Sequence, residues 1–316
     1  MRLATVSHLI PQEDLDHLTA AGIITHSDLL FHINAYAAVP QIPRRTLDRY
    51  AELLVEHVSA KPLDLFQLSE EVTHTFEPLY TGVPDMDHVL RGVGSSQVIE
   101  VSGDRGTGKT SLALHIIMRA LRSDAQTCAL WIDTAGDFSP ERCLAYLGEH
   151  EADVLERLHA STAMDADAIF ELLDELDVNT DWRPTHIIID NITAVLSPLL
   201  TAVSAQGHSI MTVLMRQLRL LARSHNLTIL VLNTATSNPT ANPAQLFSNS
   251  PRKPALGPSF TYMTDATIWL SKPANTNVEG EHTTLELVRS RFSAPGKSQY
   301  LLINGMFGSL PEATQH

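Results

Sequence analysis

Hydrophobic positions follow two textures along the chain, and the change comes near Thr81. Ahead of it, apolar residues recur every three or four positions. Pro11-Gln12-Glu13-Asp14 opens a stretch carrying Leu15, Leu18 and Ile23 that breaks at Ala21-Gly22. Ser27 is placed to cap Asp28-Leu29-Leu30-Phe31, and Pro43 precedes Leu47, Tyr50, Leu53, Leu54 and Val58 at helical spacing. Residues 1–58 thus predict a helical N-terminal domain of three or four short helices. Over residues 59–80 the pattern weakens between Pro62 and Pro78, which predicts a linker.

Beyond Thr81, apolar runs of strand length alternate with amphipathic stretches. The runs are Val98–Val101, Ala129–Ile132, Ile187–Ile189, Leu227–Leu232 and Ala266–Leu270; the stretches include Leu112–Leu121, Asp165–Leu176 and Ile210–Ala222. Such alternation calls for right-handed crossovers and a mostly parallel sheet with helices on both faces. Thr284–Val288 and Tyr300–Ile303 follow one another without a helix, which predicts an antiparallel extension at one sheet edge. Residues 81–316 therefore predict one α/β domain. Thr236 to Pro258, rich in Asn, Ser and Pro, reads as a long loop, either functional or unstructured.

The chemistry is concentrated at the first strand. Gly103-Asp104-Arg105-Gly106-Thr107-Gly108-Lys109-Thr110 fits G-x-x-x-x-G-K-[ST], after an expected strand and before an expected helix. In that setting the glycines let backbone N–H groups turn inward around phosphate oxygens. Lys109 is placed to reach the terminal phosphates, and Thr110 to offer its hydroxyl to Mg²⁺. Asp190 ends the apolar run Ile187-Ile188-Ile189, where ligands of open α/β sheets bind, and is the candidate for the magnesium's second shell. A lone Asp ending a strand is ordinary turn chemistry; the phosphate loop upstream is what raises it to a candidate.

Composition narrows the classes. Hydrophobic residues make up 44% of the 316 and charged residues 18%, enough apolar material for a sizeable core. The net charge is −14, from 22 basic and 36 acidic side chains, and only five of the basic ones are lysines. Bulk attraction to DNA or an anionic membrane is excluded, so any nucleic-acid contact must be local or shared with a partner. Two cysteines, Cys128 and Cys143, without CxxC or Cys/His clustering, suit a reducing compartment. No apolar run approaches membrane-spanning length and no basic-then-apolar leader opens the chain, so a soluble intracellular protein is expected.

Beyond the phosphate loop, three further segments resemble the RecA-like recombinases of eukaryotes. Thr81-Gly82-Val83-Pro84-Asp85-Met86-Asp87-His88-Val89-Leu90 is similar to the opening of their ATPase core. Trp131-Ile132-Asp133-Thr134-Ala135-Gly136-Asp137-Phe138-Ser139-Pro140-Glu141-Arg142 resembles their "YIDTEGTFRPER" segment. Asp190 to Leu200 and Lys253-Pro254-Ala255-Leu256-Gly257 most resemble the D-type paralogue within that family. The similarity covers about residues 81–305, and the helical domain ahead is similar in kind and position to that paralogue's N-terminal domain.

The resemblance implies a RecA-like ATPase core that binds ATP and Mg²⁺ and works in homologous recombination and DNA repair, in the nucleus, in complexes with other recombinase paralogues. Such complexes assist the main recombinase in forming filaments on single-stranded DNA. It also implies that the segment after Leu200 and the Thr236–Pro258 loop face DNA, the latter with Arg252 and Lys253 as cations. Arg142 matches a residue packing on adenine, Asn233 stands just before the γ-phosphate sensor, and Pro295 matches a residue that caps a neighbouring subunit's nucleotide. Taken singly, Arg142 and Pro295 would be a helix-surface arginine and a loop proline.

Three departures bear on activity. Ala135 stands where the family has its water-activating glutamate, and alanine can orient no water. Asp133, two residues earlier on the same strand face, is a poor substitute in reach. Thr234 replaces the Gln or His that senses the third phosphate. Phe76-Glu77-Pro78-Leu79 does not match the Phe-x-x-Ala plug of self-polymerising recombinases. Slow or absent hydrolysis is therefore expected. The competing readings are an active DNA-dependent ATPase that exchanges strands, a clock-type or helicase-type P-loop protein, and a nucleotide-independent scaffold.

Overall fold

The computed structural model describes residues 2–31, 35–59, 64–65, 76–146, 152–178, 182–200, 205–238, 247, 250–272, 281–303 and 306–308. The chain divides into two compact units, Met1–Thr75 with Glu171–Asp181, and Phe76–Phe170 with Trp182–His316.

The first unit contains helices α1 (Gln12–Ala20), α2 (His26–Phe31), α3 (Ala35–Ala38) and α4 (Arg44–Val58). Their apolar positions converge as the spacing predicts: Leu15, Leu18, Ile23, Leu29, Leu47, Tyr50 and Leu54 are buried together with Leu3, Val6 and Ile10. The cap of α2 differs from expectation. Thr25, not Ser27, accepts the Asp28 N–H on its Oγ1 at 3.1 Å, and Asp28 Oδ2 accepts the Thr25 N–H at 2.8 Å. This reciprocal pair satisfies two otherwise orphaned amides two residues earlier than Ser27 could. Much of the expected linker lies outside the described residues. Its C-terminal part packs on the second unit: Leu79 is buried and its N–H donates to Val93 O at 2.7 Å.

The second unit is built on one sheet in the order β10-β9-β8-β7-β1-β5-β4-β2-β3, with β6 paired to β5 off the end. Its strands are β1 (Gln97–Gly103), β2 (Ala129–Asp133), β3 (Leu158–Thr162), β4 (His186–Asp190), β5 (Thr228–Ser237), β6 (Arg252–Pro254), β7 (Ala266–Ser271), β8 (Glu281–Ser290), β9 (Gly296–Ile303) and β10 (Met306–Gly308). Strands β1, β2, β3, β4, β5 and β7 pair in parallel, while β7–β8–β9–β10 run antiparallel at one edge, as the helix-free spacing of the last runs requires. Every residue of β1 and β2 is buried, so both strands read as unbroken runs and not as alternation. Helix α5 (Pro84–Val89) precedes β1, and the helices between strands are α6 (Lys109–Ser123), α7 (Pro140–Tyr146), α8 (Ala152–Leu155), α9 (Ala166–Val178), α10 (Ile192–Leu196), α11 (Gln206–Ser224) and α12 (Gly257–Met263). No described helix is long and apolar enough to cross a membrane.

Two elements were not legible. Strand β3 is an edge strand whose side chains are half-buried or exposed, and Leu-His-Ala-Ser-Thr carries no apolar run. The expected loop after Thr236 begins and ends in structure: β5 runs on to Ser237, and β6 returns antiparallel against Ala235–Ser237. Residues 239–246 and 248–249 of that loop, and residues 201–204 of the other segment expected to face DNA, lie outside the described residues.

Candidate functional site

Strand β1 delivers its last residue, Gly103, to the C-terminal edge of the sheet, and the chain turns through Asp104–Gly108 into α6. A Cβ on Gly103 would stand 2.4 Å from Leu270 O and 2.7 Å from Thr107 Oγ1, so only glycine lets the loop leave the sheet there. Gly108, with φ 90°, occupies the N-cap of α6 without a side-chain cap, leaving the first-turn amides directed at the loop. Thr107 is buried and braces the turn by donating its hydroxyl to Asp104 O at 2.9 Å. Arg105 and Gly106 lie on the exposed outer side of the turn.

Lys109 folds over this loop, its Nζ donating to Gly103 O and Asp104 O, each at 2.9 Å. Burial pulls its pKa down, against the carboxylates of Asp190 and Asp104. Thr110 Oγ1 donates to Asp190 Oδ2 at 2.8 Å, joining the phosphate loop to the end of β4. Asp133 and Asp190 are register partners on β2 and β4. Burial pushes the Asp190 carboxyl up; the Thr110 hydrogen bond and Lys109 oppose this, and Asp133 adds to it. The Thr110 hydroxyl and the Asp190 carboxyl are oxygen donors of the kind a hard divalent cation takes, and such a cation would favour the ionised form of Asp190 that burial opposes. No group of three His, Cys, Asp or Glu that could hold a metal on its own occurs among the described residues. The donor set therefore suits a cation that brings phosphate oxygens and water with it.

Ala135 is exposed just past β2, and the Asp133 carboxylate explains why no neighbour replaces the missing glutamate. Asp133 accepts backbone N–H bonds from Ala135 at 3.0 Å, Gly136 at 2.9 Å and Phe138 at 2.9 Å. Burial would raise its pKa, but these amides outweigh burial and hold the group below the usual carboxylate range. Its lone pairs are committed to shaping the loop, so it is neither basic nor directed at water.

The sensor side is wired through a buried network that sequence reasoning missed. Glu100, wholly buried in the middle of β1, accepts from Ser102 Oγ at 2.7 Å, Asn233 Nδ2 at 2.7 Å and Thr267 Oγ1 at 3.1 Å. Asn233 Oδ1 in turn accepts from Thr193 Oγ1 at 2.8 Å, and Thr193 Oγ1 accepts the Thr234 N–H at 2.9 Å. Asn233, a sequence candidate for nucleotide contact, thus has both side-chain ends engaged inside the core and positions Thr234 beside Gly103, its register partner. The available clue was one carboxylate inside the apolar run Val-Ile-Glu-Val.

Arg252 also sits where sequence alone does not put it. Its Nε donates to Asp104 Oδ1 at 2.8 Å and Oδ2 at 3.1 Å, and its Nη2 pairs with the same carboxylate. Ser237 Oγ and Ala235 O, each at 3.2 Å, accept from the same guanidinium. Lys253, opposite Thr236 in the β5–β6 ladder, is half-buried. Of the two expected DNA cations, Arg252 therefore belongs to the phosphate-loop assembly. Arg142 reaches the start of α6, donating to Ser111 Oγ at 3.3 Å, while Pro295 lies exposed in the β8–β9 connection.

The Rad51 family profile matches residues 74–287, more than half of the chain. The chain belongs to the Rad51 family. Among curated relatives, the mouse "DNA repair protein RAD51 homolog 4" is 28% identical over 232 residues, spanning 69% of this chain and 68% of that protein. The cattle protein of the same name is 26% identical over 296 residues, spanning 89% and 88%. Both carry the D-type name that the Asp190–Leu200 and Lys253–Gly257 segments suggest. The crystal structure of the RadB recombinase matches with a TM-score of 0.57 at 21% identity, covering 74% of this Rad51-family chain and all of that one. At that identity the match speaks to the RecA-like fold, which this sheet order and its flanking helices share.

Proposed function

We propose that this Rad51-family chain is an ATP-binding recombinase-paralogue subunit that assists recombinase filament formation on single-stranded DNA in homologous recombination and DNA repair. It holds ATP·Mg²⁺ in the loop Gly103–Thr110, with Thr110 on the metal and Asp190 in its water shell, and hydrolyses slowly or not at all. It acts in the nucleus beside other recombinase paralogues, with Arg142 and Pro295 at the adenine and at a neighbour's nucleotide. The observation that carries this reading is the Asp133 carboxylate, occupied by three loop amides directly beside Ala135, next to an intact phosphate loop. An intact loop without a water-activating group fits binding used as an assembly state. The intact glycines and Lys109 also weigh against a nucleotide-independent scaffold.

Lys109→Ala removes the charge-assisted contact to phosphate and should weaken ATP binding by about 1.5–3 kcal/mol, or roughly 10–150-fold. Calorimetric titration of ATP·Mg²⁺ into both proteins measures it; equal affinities would remove the basis of the proposal.

Arg252→Ala separates the nucleotide role from a DNA role. Without its partner, the Asp104 carboxylate stands unneutralised at the phosphate loop, and ATP affinity should fall by about 0.5–1 kcal/mol, as expected for a half-exposed ion pair. Single-stranded DNA binding should keep its salt slope, of about −0.7 per remaining phosphate contact such as Lys253. A loss of DNA binding at unchanged ATP affinity would return Arg252 to the DNA surface.

A further inference from the structure

At the pole of the sheet away from Gly103, where β1 and β7 begin, Asp265 is 1% exposed. Its Oδ2 accepts the Val98 N–H at 3.0 Å, and its own N–H donates to Val98 O at 2.8 Å. Its other oxygen, Oδ1, faces three guanidiniums: Arg291 Nε at 3.5 Å, Arg223 Nη2 at 3.8 Å and Arg219 Nε at 3.9 Å. None of the three closes to a hydrogen bond, and Arg219 Nε, though buried, has no hydrogen-bond partner among the described residues. Arg289 stands beside them, donating to Thr261 O at 3.2 Å and Thr264 O at 2.9 Å, both neutral acceptors. Arg216 is exposed and has no carboxylate within ion-pair distance among the described residues. A protein of net charge −14 thus gathers four guanidiniums around one buried carboxylate, with Arg216 further along the same helix. Asp265 neutralises only part of this charge.

Arg216, Arg219 and Arg223 follow one another at i, i+3 and i+7, so they line one face of α11. That face and Met263 of α12 enclose a groove of about 340 Å³ whose apolar lining is Met215, Leu220 and Met263. Leu220 is 59% exposed, and Tyr262 at the end of α12 is 54% exposed. Exposed Leu220 and Tyr262 and half-buried Met263, beside arginines that one carboxylate only partly neutralises, is the composition of an interface core, not of a solvated helix face.

We propose that this groove docks a short acidic segment of a protein partner, one that places a large apolar side chain between its carboxylates. The carboxylates pair with Arg216 and Arg223, and the apolar side chain covers Leu220 and Met263 above the buried Met215. A nucleic-acid backbone would match the charge but would leave Leu220 and Met263 against sugar and phosphate, so the apolar lining selects the peptide. Since the groove lies at the strand ends opposite the phosphate loop, partner docking and nucleotide binding use separate surfaces, and this inference does not depend on ATP binding.

The test uses the full chain, with Arg219 left in place because it is the more buried of the two α11 arginines that face Asp265. A random twelve-residue peptide display library is panned against wild type, the double variant Arg216→Ala/Arg223→Ala, and Leu220→Ala, each checked by thermal melting. Wild type is expected to enrich Asp- and Glu-rich peptides carrying Phe, Leu or Trp. The double variant should bind the enriched peptides at least about tenfold more weakly. Leu220→Ala should weaken peptides that keep the apolar residue and leave alanine-substituted peptides unaffected. That readout stands alone if the double variant fails to fold. Enrichment without acidic bias, or binding indifferent to Leu220→Ala and to the double variant, would overturn the proposal. A parallel titration with oligo(dT) that is lost in the double variant while peptide binding persists would overturn it too, by assigning the groove to nucleic acid.

Discussion

Replacing Glu100 with alanine is expected to destabilise the second unit by about 3–5 kcal/mol, the largest stability effect of any single change described. The side chain is wholly buried and accepts hydrogen bonds from Ser102, Asn233 and Thr267, on its own strand and both neighbouring strands. Truncation strands the Asn233 amide donor in the core and opens a cavity. It also loosens the Thr193 hydroxyl that holds the Thr234 N–H, so nucleotide binding should weaken alongside stability. Chemical denaturation of both proteins measures the loss; a change under about 1 kcal/mol would mean that the network is not what joins these strands. A pH series adds a sign test. Burial pushes the Glu100 carboxyl up, against the hydrogen bonds it accepts, so the folded protein retains this proton after the unfolded chain has released it. Its contribution is fully present below the ordinary carboxylate range and erodes as pH rises from there through the folded value. Glu100→Gln, which cannot titrate, should lack that erosion, and the stability difference between the two proteins should shift with pH in that direction.

The second large effect concerns turnover. Wild-type ATP hydrolysis is expected to run roughly 10²–10⁴-fold below that of an enzyme with a positioned base, because Ala135 offers none and the Asp133 carboxylate is committed to loop amides. Ala135→Glu places a carboxylate on an exposed loop position that can accommodate it, and should raise turnover by at least about tenfold. A steady-state phosphate-release assay with single-stranded DNA present decides it. Wild-type turnover of about 1 s⁻¹ or more would contradict the expectation. No gain in the variant would move the limit to Thr234, whose short side chain and bonded N–H leave little to sense a third phosphate.

What the sequence revealed and what it concealed follow from the range of the interactions. The central strands stood out because burial on both faces makes each an apolar run, and the phosphate loop because its glycines, Lys109 and Thr110 are adjacent in sequence. The Asp190–Thr110 contact was inferable because strand ends and phosphate loops meet at the same edge of any parallel sheet. The Arg252–Asp104 pair was not, because it joins residues 148 apart whose types are ordinary for loops. Glu100 showed only as one charge inside a strand, with partners 133 and 167 residues further on. Strand β3 went unseen because an edge strand with exposed side chains needs no apolar run, and β6 because Arg-Lys-Pro carries no strand propensity without β5 beside it. The Ser27 cap missed by two residues: Thr25 lies where its own hydroxyl and Asp28 can satisfy each other.

The place of β1 in the sheet also governs how the protein is made. Its two neighbours, β5 and β7, begin at Thr228 and Ala266, so β1 leaves the ribosome long before either strand exists. At about 5–20 residues per second, the 133 residues from Glu100 to Asn233 take on the order of ten seconds to appear. During that interval a strand destined for full burial, with a carboxylate in its middle, has neither of its sheet partners. A nascent chain released before Thr228 would carry an intact phosphate-loop sequence that cannot close around anything. Translation pausing or early termination in the second half of the message would therefore abolish nucleotide binding as completely as a lesion in the loop itself, and would leave an aggregation-prone strand exposed.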